Sequence, residues 1–162
     1  LVCNTTENPP LFRALALRRK QTLLTLHSLN MLHARGFLAE VFNILARHNV
    51  SVDLITTSEV SIALTMDTTG ATSVGGSLLT TSLLTELSSL CRVEVEENLA
   101  LVAIIGNQLS RACGVGKEVF GVLDPFNIRL ICYGASSYNL CFLVPGDDAE
   151  KVVQKLHHNL FE

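Results

Sequence analysis

Apolar positions along this chain change their period several times, and each change marks an element. Residues 22–28 form a short apolar stretch with interspersed threonines, the composition of a strand. Leu38, Val41, Phe42 and Leu45 then fall at i, i+3, i+4 and i+7, which predicts an amphipathic helix that Gly36 helps to start. Val50, Val52 and Leu54 alternate with Ser51, Asp53 and Ile55, and Val60, Ile62, Leu64 and Met66 alternate with Ser61, Ala63 and Thr65. A period of two predicts a pair of strands, joined here at a turn near Ser58-Glu59. The Thr/Gly/Ser-rich stretch 67–77 reads as a loop, Leu79, Leu83, Leu87 and Leu90 as a second helix, and residues 92–96 as a closing strand. The order is β-α-β-β-α-β.

The pattern then begins again. Glu40-Val41-Phe42 recurs 78 residues later as Glu118-Val119-Phe120, and Ala34, Gly36, Leu45, Asn49 and Ser58 recur as Ala112, Gly114, Leu123, Asn127 and Ser136. The match runs without a gap over 44 residues, too long for chance, so the chain holds two copies of one unit. In copy two, residues 99–105 form the first strand, and a helix over 115–124 is stopped by Pro125. Strands follow over 128–133 and 138–144. A last helix opens after Pro145-Gly146, with Asp147 and Asp148 in its first turn and Ala149, Val152, Val153, Leu156 and Leu160 as its buried stripe.

This order defines an α+β fold of two ferredoxin-like βαββαβ units. Copy two ends before its sixth element. Residues 12–17 precede the first repeat, alternate in character and have no other assignment, so they are expected to complete the second sheet; otherwise they pair elsewhere or fray. The first unit is then inserted into the second. The expected division is 1–20 as linker and completing strand, 21–97 as the first unit, which carries the ligand site, and 98–162 as the second. The opening run Asn4-Thr5-Thr6-Glu7-Asn8-Pro9-Pro10, reached without an initiator methionine, reads as a linker cut from a longer chain.

Composition narrows the function. Twelve basic against fifteen acidic residues, with no Lys/Arg tract, leave no electrostatic footprint for nucleic acid. A hydrophobic content of 48% excludes a disordered chain. The longest apolar runs, such as 99–105, fall far short of the ~20 residues that a membrane-spanning helix needs. The five cysteines include no CxxC pair; those with apolar neighbours read as small buried hydrophobes in a reducing compartment. Cysteine and histidine spacings offer no metal site. Gly114-Val115-Gly116-Lys117 fails as a phosphate loop, because Arg111 and Glu118 stand where that motif needs Gly and Ser/Thr. Its glycines read instead as a tight strand-to-helix turn. No nucleophile pattern appears, and no catalytic residue is assigned.

Comparing the copies isolates candidate chemistry. The strand-to-helix loop 31–38 feeds backbone N–H groups into a helix start, a natural seat for a carboxylate. Ser58-Glu59 emerges at the same edge, and Asp53 lies earlier on its strand. The gapless alignment puts Ile131 and Ser137 where copy one has Asp53 and Glu59. Copy one therefore offers anion-seeking amides with two carboxylates, which suits a zwitterion carrying an additional positive charge. Two acids on an ordinary surface would look the same.

The tandem βαββαβ units, the stretch MLHARGFLAEVFNILARHNVSVDLITTSE and the second-copy GVGKEVFGVL resemble the paired ACT domains of lysine-sensitive aspartate kinases, over essentially the whole chain. The resemblance implies a cytoplasmic regulatory module without catalysis of its own. A kinase domain that uses ATP and Mg would precede it. L-lysine would be the allosteric effector, giving feedback inhibition of lysine biosynthesis, and the first unit would form a homodimer. Neither nucleic acid nor membrane is an expected partner. Carried over by position, the lysine contacts fall on Met31, Ala34, Phe37, Leu38, Val52, Asp53, Ser58 and Glu59. Close relatives carry Ser at the place of Ala34, so a hydroxyl contact is lost there and a backbone contact survives. Thr57 and Thr65 would tune sensitivity. The alternatives are a module for another amino acid, such as threonine, and a purely structural dimerisation module.

Overall fold

The computed structural model describes residues 8–28, 35–67 and 79–162, which divide into two compact units. The first spans Lys20–Leu99; the second joins the described residues up to Arg19 to Ala100–Glu162. Strands β1 (Phe12–Ser28) and β4 (Cys91–Gly106) contribute one half to each. Sequence periodicity reads each of them as two strands. Instead, the ladder runs on through Lys20 (φ 55°) and Asn98 (φ 57°), single left-handed residues next to the points where the chain changes unit.

In the first unit, β1 is followed by α1 (Phe37–Arg47), β2 (Leu54–Thr57), β3 (Ser61–Asp67), α2 (Thr81–Leu90) and β4, with strand order β2-β3-β1-β4. That is the split βαβ arrangement, and it leaves β2 at the edge. Leu24, Leu26, Ile62, Leu64 and Met66 from the sheet pack with Val41, Ile44 and Leu45 of α1 and Leu83 and Leu87 of α2. The α1 stripe differs from its expected one. Phe37, Val41, Ile44 and Leu45 are buried, while Leu38 and Phe42 are 44% and 38% exposed. Because α1 is apolar over a wide arc, the i, i+3, i+4 pattern fits either flank, and packing selects the one facing β1 and β3. At the other end, α2 is capped by the Thr80 hydroxyl, which accepts from Leu83 N–H at 3.2 Å. Of the expected loop 67–77, Asp67 closes β3 and the rest lies outside the described residues.

The second unit repeats the plan with α3 (Val115–Val122), β5 (Leu130–Tyr133), β6 (Asn139–Pro145) and α4 (Ala149–Phe161), in strand order β1-β4-β6-β5. The N-terminal strand supplies the missing sixth element. Leu11, Phe12, Leu15 and Leu17 pack against its core, while Ala14 and Ala16 are exposed. At the far end of β4, Asn107 N–H donates to Leu11 O at 3.0 Å. A methyl at Gly106 would lie 2.0 Å from that same oxygen, so only glycine permits this approach.

Candidate functional site

Gly36 and Gly114 start the first helix of each unit in the same left-handed conformation, φ 85° and 82°. The turn after the second strand also repeats. Ser58 Oγ accepts from Val60 N–H at 3.4 Å, and Ser136 Oγ accepts from Tyr138 N–H at 3.1 Å. The two copies therefore share the two features that frame the candidate site, a glycine-started helix N-terminus and a serine-closed turn.

In the first unit, Asp53, Ser58 and Glu59 are exposed, Leu38 is exposed on α1, Val52 is half-buried against the core, and Phe37 points into it. Phe37 can therefore offer a ligand only its backbone. Met31 and Ala34 lie outside the described residues. Thr65 determines how β2 begins. Its carbonyl accepts from Asp53 N–H at 2.9 Å, and its fully buried hydroxyl accepts from Leu54 N–H at 3.0 Å. Asp53 thus stands at the start of β2 and Ser58-Glu59 just past its end. At about 3.3 Å per residue the two acids are separated by roughly 20 Å of extended chain. The two carboxylates of a single chain therefore stand at opposite ends of β2.

Copy two departs from the alignment in a way that bears on Asp53. Leu54 faces Thr65 in the first unit, whereas Leu130 faces Leu143 in the second, a slip of two residues relative to the gapless match. The bond from Asp53 N–H to Thr65 O has its counterpart in Arg129 N–H to Leu143 O, 2.9 Å in each case. Arg129, not Ile131, therefore takes the place of Asp53. The cause is Pro125, which stands where α1 has Arg47; it ends α3 at Val122, and the chain reaches its edge strand sooner. The spare residues go into a longer turn that opens at Gly134 (φ 104°).

Cys91 and Cys141 are buried, and burial raises both thiols above their ordinary value; Cys113, by contrast, is exposed. His48 and Arg47 both pair with the Glu86 carboxylate, at 3.1 and 3.0 Å, and so tie α1 to α2. His27 lies 3.5 Å from Glu94, whose carboxyl is held below its ordinary range by Arg92 first and His27 second. Among the described residues these histidines are structural. No helix there is long and apolar enough to cross a membrane.

The ACT domain model matches residues 24–74 and again 102–160, one stretch in each unit. The chain belongs to the ACT-domain family. It is 85% identical, over its whole length, to lysine-sensitive aspartokinase 3 of Escherichia coli, of which it spans 36%. Among solved structures it resembles E. coli aspartokinase III in complex with aspartate and ADP, with TM-score 0.91 and 85% identity, covering 99% of this chain and 36% of that one. It also resembles the same enzyme in complex with lysine and aspartate, with TM-score 0.87, 84% identity and the same coverage. The chain thus spans about a third of the length of the curated relatives it matches.

Proposed function

We propose that this chain is the effector-sensing part of an aspartate kinase, that L-lysine is its effector, and that the first ACT unit takes it at a site shared by two chains. The observation that carries the reading is 85% identity along the entire chain to a lysine-sensitive aspartokinase, together with the likeness to that enzyme's lysine complex. Phosphoryl transfer from ATP to aspartate belongs to the part of the polypeptide outside this chain, and the setting is the cytoplasm.

The geometry supports a shared site. Amides at the start of α1, Phe37 and Leu38 among them, would receive the effector's carboxylate, since a helix N-terminus favours anions. Ser58 and Glu59 would stand beside it, and Met31 and Ala34 belong to the contact set that the family resemblance implies. Asp53 of the same chain is too far along β2 to join them. An isologous partner pairing its own β2 edge, antiparallel, brings Val52 and Asp53 of the partner subunit to that position. Ile55, exposed on β2 itself, would be covered at least in part by such a pairing.

A thermal-shift panel of amino acids tests the effector. Lysine should raise the melting temperature; stabilisation by threonine instead, or by none of the panel, would refute the assignment. Mixing variants tests the sharing. Asp53→Asn and Glu59→Gln should each weaken lysine binding ~10- to 100-fold, because each removes a charge-assisted hydrogen bond. Hybrids of the two carry one site with both acids intact and one with neither, so re-equilibrated mixtures should regain tight sites. A mixture that binds no better than its components would overturn the shared site.

A further inference from the structure

The second ACT unit has the same glycine-started helix and serine-closed turn as the candidate site, and there the neighbouring polar groups bond to one another. Leu109 stands at the place of Met31 and Ser137 at the place of Glu59. Leu109 is fully buried, and its N–H donates to Ser137 O at 2.8 Å. Its carbonyl accepts from the Tyr133 hydroxyl at 2.6 Å, and the Ser110 and Ser137 hydroxyls lie 3.1 Å apart. By ladder position Tyr133 is the counterpart of Thr57, since Tyr133 faces Leu140 as Thr57 faces Ile62. The tyrosine side chain is long enough to reach the loop, which a threonine at that position is not. On its other side the same loop holds the entering polypeptide. Asn107 donates from its backbone to Leu11 O at 3.0 Å and from Nδ2 to Pro10 O at 2.7 Å.

We propose that the second unit has turned its effector corner into a clamp on the entering chain, with Tyr133 as the positioning residue that fastens the clamp to the edge strand β5. Where the first unit would accept an amino acid between loop and turn, the second unit closes the two on each other. The run of contacts from Tyr133 and Ser137 through Leu109 to Asn107 ends on Pro10 and Leu11, the residues that lead in from the preceding polypeptide. In the longer relatives that polypeptide makes up most of the protein, so the clamp fixes the point at which a change in this region reaches the rest. This proposal rests on the lysine-sensing reading for its functional readout, and has a structural readout independent of it.

The experiment uses the full-length protein with Tyr133→Phe, which removes only the hydroxyl, and Asn107→Ala, which removes the bond to Pro10. Lysine affinity by equilibrium dialysis and kinase turnover without lysine should match the parent. The activity that remains at saturating lysine should rise at least about fivefold over the parent's, the low end of an allosteric coupling. In Tyr133→Phe, hydrogen exchange at the amides of Leu109 and Ala112 should accelerate about tenfold, while that of Phe142 stays unchanged. Inhibition curves that superimpose on the parent's would overturn the proposal. So would a parallel loss of lysine affinity, which would make Tyr133 a merely structural residue. Were the parent indifferent to lysine, the effector assignment would fail. Unchanged exchange at Leu109 would then refute the clamp, and faster exchange would sustain it.

Discussion

Thr65→Val probes the start of β2 with the smallest change available. The two side chains are nearly isosteric, so packing in a fully buried position is preserved and only the hydroxyl is lost. That hydroxyl is the acceptor for Leu54 N–H at 3.0 Å, and Leu54 is itself half-buried. Leaving the amide unsatisfied costs about 1–3 kcal/mol when water is excluded. Partial access at Leu54 places the loss near the low end, at ~1–2 kcal/mol, or a fall of roughly 2–8 °C in melting temperature. The Asp53 N–H bond to Thr65 O survives, because it uses the backbone. Asp53 would nevertheless lose the anchor on its C-terminal side, and lysine affinity should fall several-fold on the shared-site reading. Thr65→Ser keeps the hydroxyl and sheds a methyl, so it should be less stable than the parent yet keep lysine affinity close to it. Calorimetry and lysine titration of the three proteins decide. If Val at 65 melted and bound like the parent, the hydroxyl would not be what positions β2.

Glycine replacements should differ in sign according to backbone and space. Gly36→Ala and Gly114→Ala meet no atom within 4 Å, yet force a left-handed residue, so each should cost ~1–2 kcal/mol in chemical denaturation. Gly121→Ala, inside α3 with open space around it, should instead stabilise by about 0.5–1 kcal/mol. Gly106→Ala puts a methyl 2.0 Å from Leu11 O and 2.7 Å from the Leu109 side chain, and should cost at least ~3 kcal/mol, read as early unfolding of the second unit by hydrogen exchange. Burial raises the Cys91 and Cys141 thiols from the ordinary value of 9.0, so the folded state disfavours thiolate more than the unfolded one. Their contribution to stability is therefore complete below about pH 9 and declines as pH rises above it, which urea titrations at pH 8 and pH 10 would show. A thiol reagent at pH 8 should label Cys113 well before either.

The order of elements and the two-unit architecture were legible because they rest on periodicity and on a repeat, both of which survive in a single sequence. The missing sixth element of copy two pointed to residues 12–17 by elimination, and β1 supplies it. Which face of α1 is buried was not legible, since Phe37, Leu38, Val41, Phe42, Ile44 and Leu45 leave several stripes equally apolar. The continuity of β1 and β4 was hidden for another reason. Lys20 and Asn98 are polar and interrupt the apolar pattern, although a strand passes through both. At the candidate site the order along the strand was legible from its period of two, with Asp53 early and Ser58-Glu59 at the turn that follows.

The divergence of the two copies follows from few residues. Pro125 in place of Arg47 removes a donor and a turn from the helix, so α3 is shorter than α1 and β5 enters its ladder two residues early. That slip exchanges Asp53 for Arg129 at the start of the edge strand and Thr57 for Tyr133 at its end. The first exchange puts a cation where a cationic effector would need an anion. The second supplies the hydroxyl that bonds the Leu109 carbonyl and ties the loop to the edge strand. Thr65 is replaced by Leu143, so the hydroxyl that anchors β2 has no counterpart. A gapless alignment conceals the first two exchanges, because it pairs Asp53 with Ile131 and Thr57 with Ala135. In these ACT units, helix length decides which side chain stands at each end of the edge strand, and sequence position alone does not.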